Sequence, residues 1–126
     1  MILIFAGAYQ GKLNYALERF NPAKNDIYHC NDDDITIPEN MKIFHEIDKW
    51  ILALVKKNMD VEEAMRQFIA GNQDAIVLCN DISCGVVPVD PVFRKWREAV
   101  GKSLAMLAHT SDEVIRVFCG IPTRIK

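Results

Sequence analysis

The sequence predicts one α/β domain, a mostly parallel sheet of reduced strand number flanked by helices. Three observations carry that expectation. Residues 2–6 and 75–79 are continuous apolar runs of strand length, the pattern of strands buried on both faces of a parallel sheet. Helical apolar spacing occupies the stretches between such runs, and strands alternating with helices imply βαβ units. The chain has 126 residues, half of them hydrophobic and a quarter charged, which suits a single domain, 1–126, with a modest core.

The elements follow in order. After the first run, Gly7-Ala8-Tyr9-Gln10-Gly11-Lys12 reads as a turn. Leu13, Ala16, Leu17 and Phe20 recur at i, i+3, i+4 and i+7, which marks an amphipathic helix that Asn21-Pro22 ends. Ile27, Tyr28, His29 and Cys30 form a short strand candidate. Asp32, Asp33 and Asp34 repel one another and need a solvated loop. Thr36 and Glu39 have capping-box spacing and predict a helix start. Its apolar face would run through Ile43, Phe44, Ile47, Trp50, Ile51, Leu54 and Val55. Asp60 and Glu63 form a second capping box, and the helix that follows carries Val61, Ala64, Met65, Phe68 and Ile69 and closes at Gly71. After the run at 75–79 a polar loop extends to Pro91. Trp96, Val100, Leu104 and Leu107 then mark a long helix, and residues 114–119 a last strand, with Arg116 pointing to incomplete burial. Gly120, Pro122 and a basic tail close the chain.

Composition narrows the function classes. The net charge is −2. Residues 1–91 carry 8 basic and 14 acidic side chains, net −6, and residues 92–126 carry 7 basic and 3 acidic, net +4. The basic part either faces solvent or attracts phosphates. It has no interleaved aromatic stripe, which argues against nucleic acid. No apolar run approaches the roughly 20 residues of a membrane span. Cys30, Cys79, Cys84 and Cys119 make no zinc spacing. Cys30, Cys79 and Cys119 end apolar runs, where a thiol packs as a small hydrophobe. A reducing, cytoplasmic setting is expected.

The turn at residues 6–13 has chemical content. A phosphate-binding loop reads GxxxxGK[ST] between a strand and a helix. Its glycines let backbone N–H groups wrap phosphates, its Lys reaches the β/γ-phosphates and its hydroxyl binds Mg²⁺. Here the eight positions read Ala6-Gly7-Ala8-Tyr9-Gln10-Gly11-Lys12-Leu13. Gly11 and Lys12 stand, the first Gly is displaced by one position, and Leu13 has no oxygen to give a metal. Two readings stay open: a degraded phosphate-binding loop, or a plain strand–turn–helix connection with an accidental Gly-Lys pair.

The second half carries a family resemblance. Residues 75–88 run from a buried strand into Asn80-Asp81-Ile82-Ser83-Cys84-Gly85-Val86-Val87-Pro88. Arg94-Lys95-Trp96-Arg97-Glu98-Ala99-Val100-Gly101 follows. Ser111-Asp112-Glu113-Val114, a strand, Gly120-Ile121 and Arg124-Ile125-Lys126 then close the chain. This order resembles the bifunctional adenosylcobinamide kinase / adenosylcobinamide-phosphate guanylyltransferase family, without gaps over 75–126 and again over 1–20.

The resemblance implies a P-loop NTPase-like fold and nucleotide chemistry in cobalamin assembly or salvage. Family enzymes phosphorylate adenosylcobinamide with a nucleoside triphosphate and then transfer GMP from GTP through a guanylylated His. It implies GTP or ATP as ligand, adenosylcobinamide or its phosphate as partner, and a homo-oligomer, commonly a trimer. By that resemblance Gly7, Ala8, Tyr9, Gln10, Gly11, Lys12 and Leu13 would surround the phosphates. Asn80 and Asp81 would stand at the family's Asn-Glu position.

Lys42-Ile43-Phe44-His45 resembles the context of the family's nucleophile, so Lys12 and His45 are the catalytic candidates. On the helix expected here His45 would instead point away from the apolar face, as a surface His between Lys42 and Lys49. His29 at a strand end and His109 at a helix end have structural readings. Trp50, Phe93 and Trp96 serve either a core or an interface between copies.

The chain departs from the family in being short. Between His45 and Ala75 the family has a further strand and an acidic residue, where two helices are expected here. Leu104 stands at a family Asn, and Leu13 at the loop hydroxyl, so Mg²⁺ binding is expected to be weakened. Retained transfer chemistry and a catalytically deficient nucleotide- or corrinoid-binding or assembly module are the two functional alternatives.

Overall fold

A computed structural model describes residues 1–83 and 85–126. Cys84, one of the four cysteines and part of the family-like stretch, lies outside the described residues. The first strand, β1 (Ile2–Ala6), lies inside a six-stranded sheet of order β2-β3-β4-β1-β5-β6. It pairs in parallel with β4 (Ile76–Asn80) on one side and β5 (Glu113–Phe118) on the other. Two strand neighbours and helices on both faces explain why its side chains are apolar throughout. β2 (Ile27–His29) and β3 (Ile43–His45) continue the parallel sheet outward from β4. β6 (Ile121–Arg124) closes the other edge, antiparallel to β5.

The helices divide between the faces. α1 (Lys12–Phe20) packs Ala16, Leu13 and Phe20 against Ile4, Ile43, Leu78 and Ile115. α2 (Ile47–Lys56), α3 (Val61–Gly71) and α4 (Pro91–Thr110) cover the opposite face. There Phe44, Ile51, Met65, Val77, Val100 and Leu107 are fully enclosed. The Asp60 carboxylate accepts from Glu63 N, as its capping box requires. α4 starts with Asp90 accepting from Val92 N and Pro91 in the first turn.

Several expectations are corrected. No helix starts at Thr36. Asn31 Oδ1 accepts from Asp33 N and Asp34 N, and Asp34 Oδ1 accepts from Thr36 N. These local bonds from short polar side chains hold the segment in turns instead of a helix. Ile43 and Phe44 belong to β3, not to the following helix, because β2 and β4 flank them and bury both faces. Glu46, at φ 58°, makes the break between β3 and α2. His45 therefore ends a strand, and between it and Ala75 stand two helices, α2 and α3, as expected.

Gly71 is the last residue of α3, and Asn72 closes the helix by donating from Nδ2 to Phe68 O. Residues 121–124, at the basic end of the chain, form a strand. Phe93 and Cys119 are exposed, so neither packs in a core. Trp50 is buried and Trp96 half-buried. No described helix is long and apolar enough to cross a membrane.

Candidate functional site

In an open parallel sheet, ligands bind outside the carboxyl ends of the strands, where the chain order reverses direction. β1 sits at that point, since the connections after it run first to β2–β4 on one side and then to β5 on the other. A cleft of about 660 Å³ opens there. Its walls are the turn after β1, the ends of β3 and β4, the first turn of α2, and Trp96 of α4.

The turn has the conformation a phosphate loop needs. Gly11 is the N-cap of α1 at φ 94°, a left-handed conformation that glycine adopts without strain. No side chain caps α1, and its first turn carries no acidic residue, so its leading N–H groups point at the cleft with a positive partial charge. The hairpin turn of β5 and β6 braces the loop from outside. Gly120 N donates to Gln10 O at 2.8 Å and Cys119 N to Gln10 Oε1 at 2.7 Å. A Cβ on Gly11 would sit 3.3 Å from Gly120 Cα.

Lys12 is only 6 % exposed. Its Nζ donates to Asn80 Oδ1 at 2.5 Å and to Gly7 O at 3.2 Å. Asn80 in turn grips Asp48, its N reaching Asp48 Oδ1 at 3.0 Å and its Nδ2 reaching Oδ2 at 3.2 Å. The Asn80 amide thus joins a buried ammonium to a buried carboxylate, with its dipole aligned to both. Burial lowers the Lys12 pKa, opposed by the charge of Asp48. Burial raises the Asp48 pKa, opposed by the two bonds from Asn80. Trp96 Nε1 donates to Asp48 O at 2.7 Å and fixes the start of α2.

His45 lines the same cleft, with its side chain 14 % exposed. It is not a surface helix residue. Burial lowers its pKa below the usual 6.5, opposed by Glu46, while His29, Lys12 and Lys49 push it further down. Neutral imidazole is therefore the prevailing form at neutral pH. Its Nε2 lies 3.7 Å from Glu46 Oε1, and Glu46 also pairs with Lys49.

The sequence-predicted residues divide into two groups. Ala8, Tyr9, Gly11, Lys12, Leu13, His45 and Asn80 line the cleft. Gly7, Gln10 and Asp81 lie outside that lining. Gly7 supplies the carbonyl that Lys12 uses, and Gln10 is tied to the hairpin. Asp81 N donates to Ala6 O, and its Oδ1 accepts from Ser83 N and Oγ. His109 is exposed at the end of α4. Asp48 and Glu46 are the residues that sequence reasoning missed. A usable signal was present: Ile27-Tyr28-His29 and Ile43-Phe44-His45 share one residue order, so the second could be read as a strand ending in His, with acidic residues just beyond it.

The donor set does not fit a protein-held Mg²⁺. Leu13 packs with the α1-side core and offers no oxygen. Each Asp48 oxygen already accepts an Asn80 N–H. Among the described residues no group of three or more His, Cys, Asp or Glu is arranged to hold a metal ion.

Comparison with known families finds a match. The model described as cobinamide kinase / cobinamide phosphate guanyltransferase matches residues 32–125. The match includes His45 and the segment between His45 and Ala75, and it begins after the glycine-lysine turn. No curated protein matches the chain.

Proposed function

The chain belongs to the cobinamide kinase / cobinamide phosphate guanyltransferase family, whose members act as transferases in cobalamin biosynthesis, and from that premise we propose that it binds GTP in the cleft and carries its GMP on His45. The acceptor is the phosphate of adenosylcobinamide phosphate. One observation carries the reading: His45 and the Gly11-Lys12 turn, 33 positions apart in the chain, line one cleft.

The residues divide the work. The N–H groups at the start of α1 and the third N–H of Lys12, beyond the two given to Asn80 and Gly7, meet the triphosphate. Lys12 keeps its charge in a buried place because Asn80 and Asp48 stand behind it. A neutral His45, held so by burial, is the nucleophilic form of imidazole. Transfer of GMP is favoured over kinase chemistry. Kinase chemistry relies on the loop hydroxyl for metal-assisted phosphoryl transfer, and Leu13 removes it.

The test is intact-mass measurement after incubation with GTP. One added GMP, labile to acid and absent from His45→Gln, is the expected result, and adenosylcobinamide phosphate should discharge it. GTP that binds without forming an adduct or a transfer product would overturn the transfer. Leu13 and Leu104, the latter packed against the larger core, favour a second reading, a nucleotide- or corrinoid-binding module without transfer. It predicts binding that Mg²⁺ does not strengthen.

A further inference from the structure

β2 and β3 pair in parallel with His29 directly opposite His45. In-register neighbours on parallel strands project to the same face, so both imidazoles stand together at the carboxyl end of the sheet. Their Nδ1 atoms are 2.9 Å apart, and the rings are nearly perpendicular at 85°, with centroids 5.0 Å apart. A bond between two ring nitrogens needs one proton, so one ring donates and the other accepts.

We infer that His29 is a positioning residue, which accepts from His45 Nδ1–H and thereby leaves His45 Nε2 with its electron pair free to attack. The inference rests on the reading of His45 as the nucleophile.

The alternatives follow from proton counting. With His45 as donor, Nε2 is bare. With His29 as donor, the His45 Nδ1 electron pair is occupied and Nε2 carries the hydrogen, so neither nitrogen of His45 can attack. A proton added to His29 makes both its nitrogens donors and forces that second arrangement. A proton added to His45 removes its electron pair outright. The nucleophile therefore exists only while the pair is neutral. Glu46 Oε1, 3.7 Å from Nε2, is beyond hydrogen-bonding distance and does not lock a hydrogen there. The charged groups acting on His45 are Glu46 beside it, Lys49 of α2 and Lys12 of α1, with His29 of β2 completing the set.

The step balances. The Nε2 electron pair bonds to the α-phosphorus of GTP. The bond from that phosphorus to the oxygen bridging to the β-phosphate breaks, and pyrophosphate leaves with the electrons. The ring would then be cationic, with hydrogen on Nδ1 and phosphorus on Nε2. His29 Nδ1 takes up that hydrogen as the charge develops, and returns it when the acceptor phosphate displaces Nε2.

Histidine-selective ¹⁵N labelling tests this without nucleotide, because long-range ¹H–¹⁵N spectra tell which ring nitrogen carries hydrogen. Wild type should show His45 as the Nδ1–H tautomer. His29→Ala should shift it to Nε2–H. His29→Asn, which offers Oδ1 as acceptor where Nδ1 stood, should restore Nδ1–H. Wild-type His45 as Nε2–H, or a tautomer that ignores His29→Ala, would overturn the inference. With GTP added, His29→Ala should slow the His45 adduct by about 10²-fold, the scale of a lost proton acceptor, and His29→Asn should recover part of it. Correct tautomers with no adduct in wild type would sink nucleotidyl transfer and leave the positioning role intact.

Discussion

Asn80→Ala removes the amide that joins Lys12 to Asp48. Two bonds disappear, the one accepted from Lys12 Nζ and the one donated to Asp48 Oδ2. Both involve a charged partner, and such bonds contribute about 1.5–3 kcal/mol each. The backbone N of Asn80 still reaches Asp48 Oδ1, so Asp48 keeps part of its support. Lys12 keeps only Gly7 O. The cost should be about 3–5 kcal/mol, since each buried charge loses a partner and water has little access. With a urea m-value of about 2 kcal/mol/M, the unfolding midpoint should fall by about 1.5–2.5 M. GTP affinity should fall as well, because Lys12 loses its alignment. The double variant Asp48→Ala/Asn80→Ala should cost less than the sum of the singles, as expected for residues in one network. A single-variant cost below about 1 kcal/mol would refute the view that Asn80 holds the buried pair.

Three further outcomes follow from the same geometry. Gly11→Ala should destabilise the fold by about 1–2 kcal/mol, from the left-handed backbone alone, and should weaken GTP binding; urea melts and calorimetry read the two effects. For His45, burial lowers the folded pKa below 6.5, so the unfolded chain takes up the proton first as pH falls. Its contribution to stability is present above pH 6.5 and is lost as pH drops through 6.5 toward the folded value. Urea midpoints taken between about pH 5 and pH 7.5 should therefore slope more steeply in wild type than in His45→Gln. Leu13→Ser restores a hydroxyl but removes apolar packing from the α1-side core, and should cost about 1–3 kcal/mol. GTP titrations with and without Mg²⁺ should show no gain in Mg²⁺ dependence, because Asp48 oxygens remain engaged by Asn80.

The alternation of strands and helices was legible because it is local. The apolar runs of β1 and β4 and the spacing of α1, α3 and α4 are patterns within one element. β3 was hidden because Ile43 and Phe44 stand just before Ile47, Trp50 and Ile51, so a helical rhythm extends backward over them. β6 has no buried face, as residues 121–124 are all exposed, and only its pairing with β5 makes it a strand. The site was half legible. Gly11 and Lys12 belong to a contiguous motif, and His45 to a short family-like context. Asp48 reads as one polar residue on a helix until β4 brings Asn80 to it from 32 positions away. The His29–His45 pair depends on the register of two short parallel strands, which no local pattern fixes.

The central claim is that the Gly11-Lys12 turn cradles a nucleoside triphosphate in the cleft that His45 shares. Isothermal calorimetry with GTP on wild type, Lys12→Ala and His45→Gln tests it most directly. The account predicts saturable one-site binding by wild type, binding by His45→Gln within a few-fold of it, and loss of binding in Lys12→Ala. Undiminished binding by Lys12→Ala, or none by wild type, would contradict it.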